Sequence, residues 1–334
     1  MLGPRTIKLG APHGRIALVV LYLALVLPTL ILLHVGLVPN VLVFVLLGAA
    51  VVVGQARLFV RDWGVFLLVL ILWQQTEGVA AWAGFPLRLR GLIAVDRAIA
   101  SPLLHGALPQ VWLQHHLYHR GHWQWYDLVS WGVYALHFPE PLLVGFAIWL
   151  RDRALFQRFS LAFLTLAALA FVGYIVYPAV PPWLAGRHHY RAIPLVANIF
   201  NDFNYYALQK GLGQSDKSLI TMHYNLTAAM PSLHAAFPIL SALYLRQTFG
   251  RRGLFMLVYA AVMCFAVVYM GEHWIIDIVV GIGCALVAYL AVEGAARLLA
   301  GRPRARAARQ EPPAAPTVEP AALVARRDGA NARR

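Results

Sequence analysis

The chain has 334 residues, 60% hydrophobic and 13% charged, with a mean hydropathy of +0.64. Soluble domains carry roughly 45–50% apolar and about 25% charged residues, so the composition excludes an ordinary cytosolic enzyme and a disordered protein. The net charge of +14 lies mostly in short segments between apolar runs, so it reads as membrane topology and not as a nucleic-acid surface. Cys264 and Cys284 both fall inside apolar runs, which gives neither a disulfide framework nor a zinc site.

A bilayer core of about 30 Å is crossed by about 20 apolar residues in a helix. Eight runs meet that length: 15–37, 39–59, 63–84, 128–150, 159–177, 231–248, 253–271 and 274–298. They predict an all-α, polytopic membrane bundle embedded in phospholipid. The first run is long and lacks a small-residue cleavage site after it, so it reads as a retained anchor. Eight spans put both termini on one side. With that side cytoplasmic, inner segments hold 20 Lys and Arg, and the outer loops 85–127 and 178–230 hold 8, as the positive-inside rule demands. Twelve of the 13 histidines lie in outer loops or at outer helix ends, His13 being the exception. Either phosphate and proton chemistry or the interfacial placement of aromatic rings accounts for that bias.

Loop 85–127 mixes apolar residues at helical spacing with Arg, His and Trp, which predicts one or two interfacial helices. Loop 178–230 opens on Pro178, Pro181 and Pro182 and continues with Arg187, His188, His189 and Arg191. That basic cluster suits a phosphate or the headgroup layer. Beyond Gly301 the chain is Ala, Pro and Arg, a composition that cannot bury a core and predicts a disordered tail near anionic lipid. The divisions are 1–127, N-terminal helices and interfacial loop; 128–298, the catalytic membrane domain; and 299–334, the basic tail.

Two short motifs carry chemistry. At 229–236 the chain reads AMPSLHAA. Pro231 suits a first helical turn, and Ser232 and His234 then sit at the outer mouth of the sixth span. At 269–281 it reads YMGEHWIIDIVVG. On a helix, His273 and Asp277 share a face. Asp277 falls about one turn inside the membrane, where a carboxylate needs a partner. Donation from His273 Nδ1 to Asp277 would leave Nε2 free to attack, and His234 at the same depth would serve as general acid. Glu77, His137 and Glu140 also fall within spans, where interhelical hydrogen bonding or a proton path accounts for them.

PSLH followed by H-W-x-x-D resembles the second and third signature motifs of the type 2 phosphatidic acid phosphatase (PAP2) superfamily, P-S-x-H and S-R-x5-H-x3-D. MPSLHAA, the H-W-x-x-D form and YPAVPPWLA are similar to the inositol phosphorylceramide synthase branch and its bacterial relatives. The resemblance covers roughly 128–298. It implies a six-helix catalytic core and a lipid phosphatase or phosphotransferase that works through phosphohistidine and moves a phosphoryl or phospho-headgroup, inositol phosphate included, on the extracytoplasmic face. His273 would be the nucleophile, Asp277 its orienting carboxylate and His234 the acid and base. Ser232 would be a ligand of the phosphoryl oxygens. No metal or other cofactor is implied.

The chain departs from the pattern in two places. Ala266 and Val267 stand where the third motif has Ser-Arg, and the first motif K-x6-R-P has no match. The phosphoryl charge must still be neutralised, which turns attention to Arg187 and Arg191, with Lys217 and Arg120 as further cations. Two other readings remain open from sequence: a lipid or solute transporter whose histidines gate, and a membrane scaffold whose site has decayed.

Overall fold

The computed structural model describes residues 12–32, 39–75, 85–187, 190, 192–204 and 228–310. Among them there is no strand; the elements are helices α1 (Pro12–Leu32), α2 (Pro39–Val52), α3 (Ala56–Gln75), α4 (Arg90–Leu104), α5 (Pro109–Leu117), α6 (Trp125–Ala135), α7 (Pro139–Arg151), α8 (Arg153–Val176), the short α9 (Pro182–Ala185) and α10 (Ile199–Phe203), α11 (Leu233–Phe249), α12 (Met256–Tyr269) and α13 (Ile275–Gln310). Among the described residues, three runs are long and apolar enough to cross a membrane, Arg153–Val176, Leu233–Tyr269 and Ile275–Ala300, and a bent pair of helices, Trp125–Ala135 with Pro139–Arg151, makes a fourth if counted as one span. The second is doubled back through a 3-10 turn at Gly250–Phe255, so that α12 packs along α11. Many apolar side chains on these helices, such as Val172, Val258 and Leu290, are exposed, as a lipid-facing surface requires.

The run at 128–150 is not one straight helix. It is α6 and α7, bent by 59°. Pro139 explains the break: it has no N–H to extend α6, and it disfavours helical backbone at the residue before it, while suiting the first position of a new helix. His137 sits in this elbow. The expected boundary between the second and third runs also moves, because α2 ends at Val52 and α3 starts at Ala56. Loop 85–127 forms the two helices α4 and α5, as its spacing predicts. α13 continues past Gly301 to Gln310; the rest of the tail, like Glu77, His188, His189, Arg191 and Lys217, lies outside the described residues.

One end of the bundle is held by ion pairs. Arg153 Nη2 donates to Asp62 Oδ1 at 2.8 Å, and Trp149 Nε1 donates to Asp62 Oδ2 at 3.0 Å. Arg158 meets Glu293 at 3.1 Å. Above these groups the core is aromatic: Trp63 stacks on Phe59 and Phe156, with ring centroids 5.0 and 4.6 Å apart. Asp277 and Glu293 lie on the same helix, 16 residues apart, or roughly 24 Å at 1.5 Å per residue. The motif residues therefore occupy the end opposite to the ion pairs.

Candidate active site

Three chain segments meet beneath the motif residues. Arg88, Ala179 and Ala228 form two isolated parallel bridges, and Ala229 N–H donates to Ala179 C=O at 3.3 Å. Ala229 is thereby fixed with its carbonyl aimed at His273, whose Nδ1 lies 2.8 Å from it. Pro231 and Ser232 follow. Ser232 is fully buried and caps α11, its Oγ accepting from Ala235 N–H at 3.4 Å. Its own N–H donates to the Asp277 carbonyl at 3.0 Å. The approach of α13 here needs glycine: a Cβ on Gly281 would stand 2.2 Å from Ser232 O. One loop thus ties the starts of α11 and α13 together and sets His234 beside His273.

His273 is not on a helix. It lies in the turn before α13, whose first residue is Ile275. Asp277 Oδ2 stands 3.4 Å from His273 Nδ1 but accepts from Trp274 N–H at 2.8 Å. The expected primary acceptor of the His273 proton is therefore replaced by the Ala229 carbonyl, because Asp277 directs that oxygen to its own helix end, where free N–H groups attract anions. Asp277 remains within ion-pair range.

The two histidines touch. His234 Nδ1 lies 3.1 Å from His273 Nε2. Protonation follows from the partners. His273 Nδ1 faces two acceptors, so it carries the proton, and Nε2 is left with a lone pair. His234 Nδ1 must then be the donor between the rings. A neutral His234 consequently has a bare Nε2, which is sealed from solvent and has no partner among the described residues. His234 as a whole is only partly buried, so the pair remains open to a ligand on one side.

The outer-loop helices clamp this turn, a role that no sequence motif revealed. Asp96 of α4 is fully buried and accepts from Ile275 N–H at 2.9 Å and Ile276 N–H at 3.1 Å. Burial pushes its pKa up, while Gln110 and the two backbone donors oppose that shift. Gln110 Nε2 donates to Asp96 at 2.9 Å and to the His273 carbonyl at 3.1 Å. Gln114, one turn along α5, donates to Ala197 and Tyr269 carbonyls, both at 2.9 Å. Available signals were the Gln110–Gln114 spacing on one helix face and Asp96 as the lone acid between Glu77 and Asp127.

From the second outer loop, Trp183 N–H donates to Gly271 C=O at 2.9 Å. Gly271 has φ +77°, and a Cβ there would strike Val196 and the Ala197 carbonyl. The exposed Arg187 guanidinium lies 4.8 Å over the Trp183 ring. Arg187 is thus tethered to the residues just before His273, but its guanidinium rests on an indole and not on the histidines. Arg120, another outer cation, pairs with Asp202 at 3.2 Å.

His234 on α11 touches His273 in the turn before α13, and His273 has a carbonyl and a carboxylate behind it, an arrangement that can supply a nucleophile with an adjacent acid and base. The chain belongs to the PAP2 superfamily, whose model matches residues 93–291, and it is an enzyme of phosphotransferase or phosphatase type. Among its relatives, the phosphoinositol dihydroceramide synthase of Bacteroides thetaiotaomicron is 29% identical over 224 residues, covering 62% of this chain and 68% of that protein. The inositol phosphorylceramide synthase of Candida albicans is 25% identical over 165 residues, 46% of this chain and 33% of that protein. The inositol phosphorylceramide synthase catalytic subunit of Schizosaccharomyces pombe is 23% identical over 177 residues, 49% of this chain and 39% of that protein. No solved structure matches the chain.

Proposed function

We propose that this enzyme transfers inositol phosphate from a phosphoinositol lipid to the hydroxyl of a ceramide-class acceptor, through a phosphohistidine on His273. The carrying observation is the 3.1 Å contact between His234 Nδ1 and His273 Nε2. It presents an unprotonated nucleophile with a proton donor already beside it. His273 Nε2 attacks phosphorus, the bond to the leaving alkoxide breaks, and the His234 Nδ1 proton moves to that oxygen. The acceptor hydroxyl then returns a proton to His234 Nδ1 as its oxygen displaces His273. The Ala229 carbonyl and Asp277 stabilise positive charge on His273 while the N–P bond exists. Arg187 and Arg191 supply the cations that Ala266 and Val267 do not, and Ser232 completes the phosphoryl-binding set. The relatives' names, a phosphoinositol dihydroceramide synthase and an inositol phosphorylceramide synthase, support the headgroup and acceptor.

The same reading places eight spans in the membrane, with a six-helix core inside the 128–298 catalytic domain, a 1–127 N-terminal part and a 299–334 cytoplasmic tail. Both termini face the cytoplasm, and the histidines face outward. The 20-to-8 distribution of Lys and Arg supports this orientation.

Purified protein given a phosphoinositol lipid labelled at phosphorus tests the chemistry. Wild type should trap label on His273 and pass it to a ceramide. His273→Ala should lose both. His234→Ala should lose turnover, yet still trap label from a donor whose leaving group needs little protonation. Labelled His273→Ala protein would overturn the nucleophile assignment.

A further inference from the structure

His234 can give up its Nδ1 proton only if another arrives at Nε2; otherwise the ring would become an imidazolate. Nε2 points to the sealed side of the ring, away from His273. The side chains there form a descending series. Tyr134 and His137 both stack on His234, with ring centroids 4.4 and 3.9 Å away. His137 stacks in turn on Phe237, one turn below His234 on α11, at 5.0 Å. One turn further, Glu140 of α7 stands beside Ser241 of α11. His137, Glu140 and Ser241 are all more than nine-tenths buried. Among the described residues, His234 Nε2 and His137 Nδ1 lack a hydrogen-bond partner, and the buried Glu140 carboxyl has the Ser241 hydroxyl as its polar neighbour. Thinly partnered polar atoms at membrane depth are expensive, and a series of them running down from one catalytic ring marks a functional locus.

We propose that Glu140 is the proton-holding partner of His234, with His137 and Ser241 lining the path between them. This proposal rests on the phosphohistidine reading above. In the first half-reaction His234 gives its Nδ1 proton to the leaving alkoxide, and the proton of the Glu140 carboxyl is relayed past His137 to Nε2, two helical turns up α11. His234 becomes the Nε2–H tautomer and Glu140 a carboxylate. In the second half-reaction the acceptor hydroxyl protonates Nδ1, and the Nε2 proton returns to Glu140. No proton is gained or lost over the cycle. Each catalytic histidine then has its own acid: Asp277 for His273, Glu140 for His234. The other groups facing this line are His137 from the α6–α7 elbow, Tyr259 from α12, which lies within electrostatic reach of Glu140, and His273 with Asp277 across the pair. Glu140 acts through His234 and is a positioning residue in the proton path.

The test compares two phosphoinositol donors, one with a natural alkoxide leaving group and one with a nitrophenol. Glu140→Gln should cut turnover of the alkoxide donor roughly a hundredfold or more, the usual worth of general acid–base help. It should leave phosphoenzyme formation from the nitrophenyl donor within a few-fold of wild type, and Glu140→Asp should restore part of the alkoxide rate. An equal loss on both donors, or full alkoxide activity in Glu140→Gln, would overturn the proposal. Wild type that forms no phosphoenzyme from either donor defeats the underlying reading instead, and is recognised before any variant is made.

Discussion

Trp63 and Trp274 are both fully buried, yet they are held in opposite ways. Trp63 lies in the bundle among Phe59, Phe66, Phe146 and Phe156, and its Nε1 has no partner among the described residues. Trp274 adjoins His273. Its Nε1 donates to Val180 C=O at 2.7 Å, and its backbone N–H donates to Asp277 at 2.8 Å. The bundle is assembled by area and dispersion, which are non-directional and tolerate ring-for-ring exchange. The outer cap is assembled by hydrogen bonds, which fix atoms to within tenths of an ångström. A site whose two reacting nitrogens must meet needs the second kind of support.

The largest expected effect therefore comes from breaking the cap. Asp96→Ala removes three hydrogen bonds at once and frees the start of α13 beside His273. A displacement of about 1 Å costs about a hundredfold in rate, so turnover should fall by that order, with a smaller loss of thermal stability. Wild-type turnover in this variant would show that the clamp is not needed. Arg187→Ala should also lower turnover about a hundredfold, the usual loss when one charge-stabilising donor is removed, and Arg187→Lys should restore only part, because an ammonium lacks the two-pronged grip. Unchanged kinetics in Arg187→Ala would assign the guanidinium to its indole alone.

The paired substitutions Trp63→Phe and Trp274→Phe sharpen the contrast at equal chemistry. The first keeps a ring in a ring cluster and should leave turnover intact. The second strands the buried Val180 carbonyl, worth about 1–3 kcal/mol, and should lower both stability and turnover. Equal turnover in the two variants would erase the distinction between the regions.

The legibility of the chain follows the same division. Apolar runs reveal bundle helices because burial in lipid acts on every residue of a run, so α8, α11, α12 and α13 were readable. The histidine pair was readable because its motifs are short and local. The elbow at His137 was missed because hydropathy does not register a missing N–H, although Pro139 signalled it. Asp96, Gln110 and the Ala229 carbonyl were hidden for another reason. They lie 177, 163 and 44 positions from His273, and a long-range hydrogen bond leaves no period in a sequence. Backbone acceptors such as Ala229 leave no side-chain trace at all.

The smallest expected effect tests whether the cap's polar groups stabilise the fold or only shape it. Glu272, next to His273, is buried beside Trp183 and Asn198, and that burial raises its pKa from 4.5 to about 8. In the unfolded chain the carboxyl ionises near 4.5, so between pH 4.5 and 8 the unfolded state releases a proton that the folded state keeps. Folding is then opposed progressively as pH rises through that window, because stability falls wherever the native state binds more protons. Glu272→Gln cannot ionise and escapes this loss. Its melting temperature minus that of wild type should be small at pH 5, should increase through pH 7, and should level off above pH 8. Thermal unfolding of the detergent-solubilised proteins at several pH values measures it. A difference that does not change with pH would mean that Glu272 is ionised in the native cap and held by partners. The cap would then be stabilised by charge and not by neutral hydrogen bonds, and the contrast with the Trp63 core would be one of electrostatics as well as geometry.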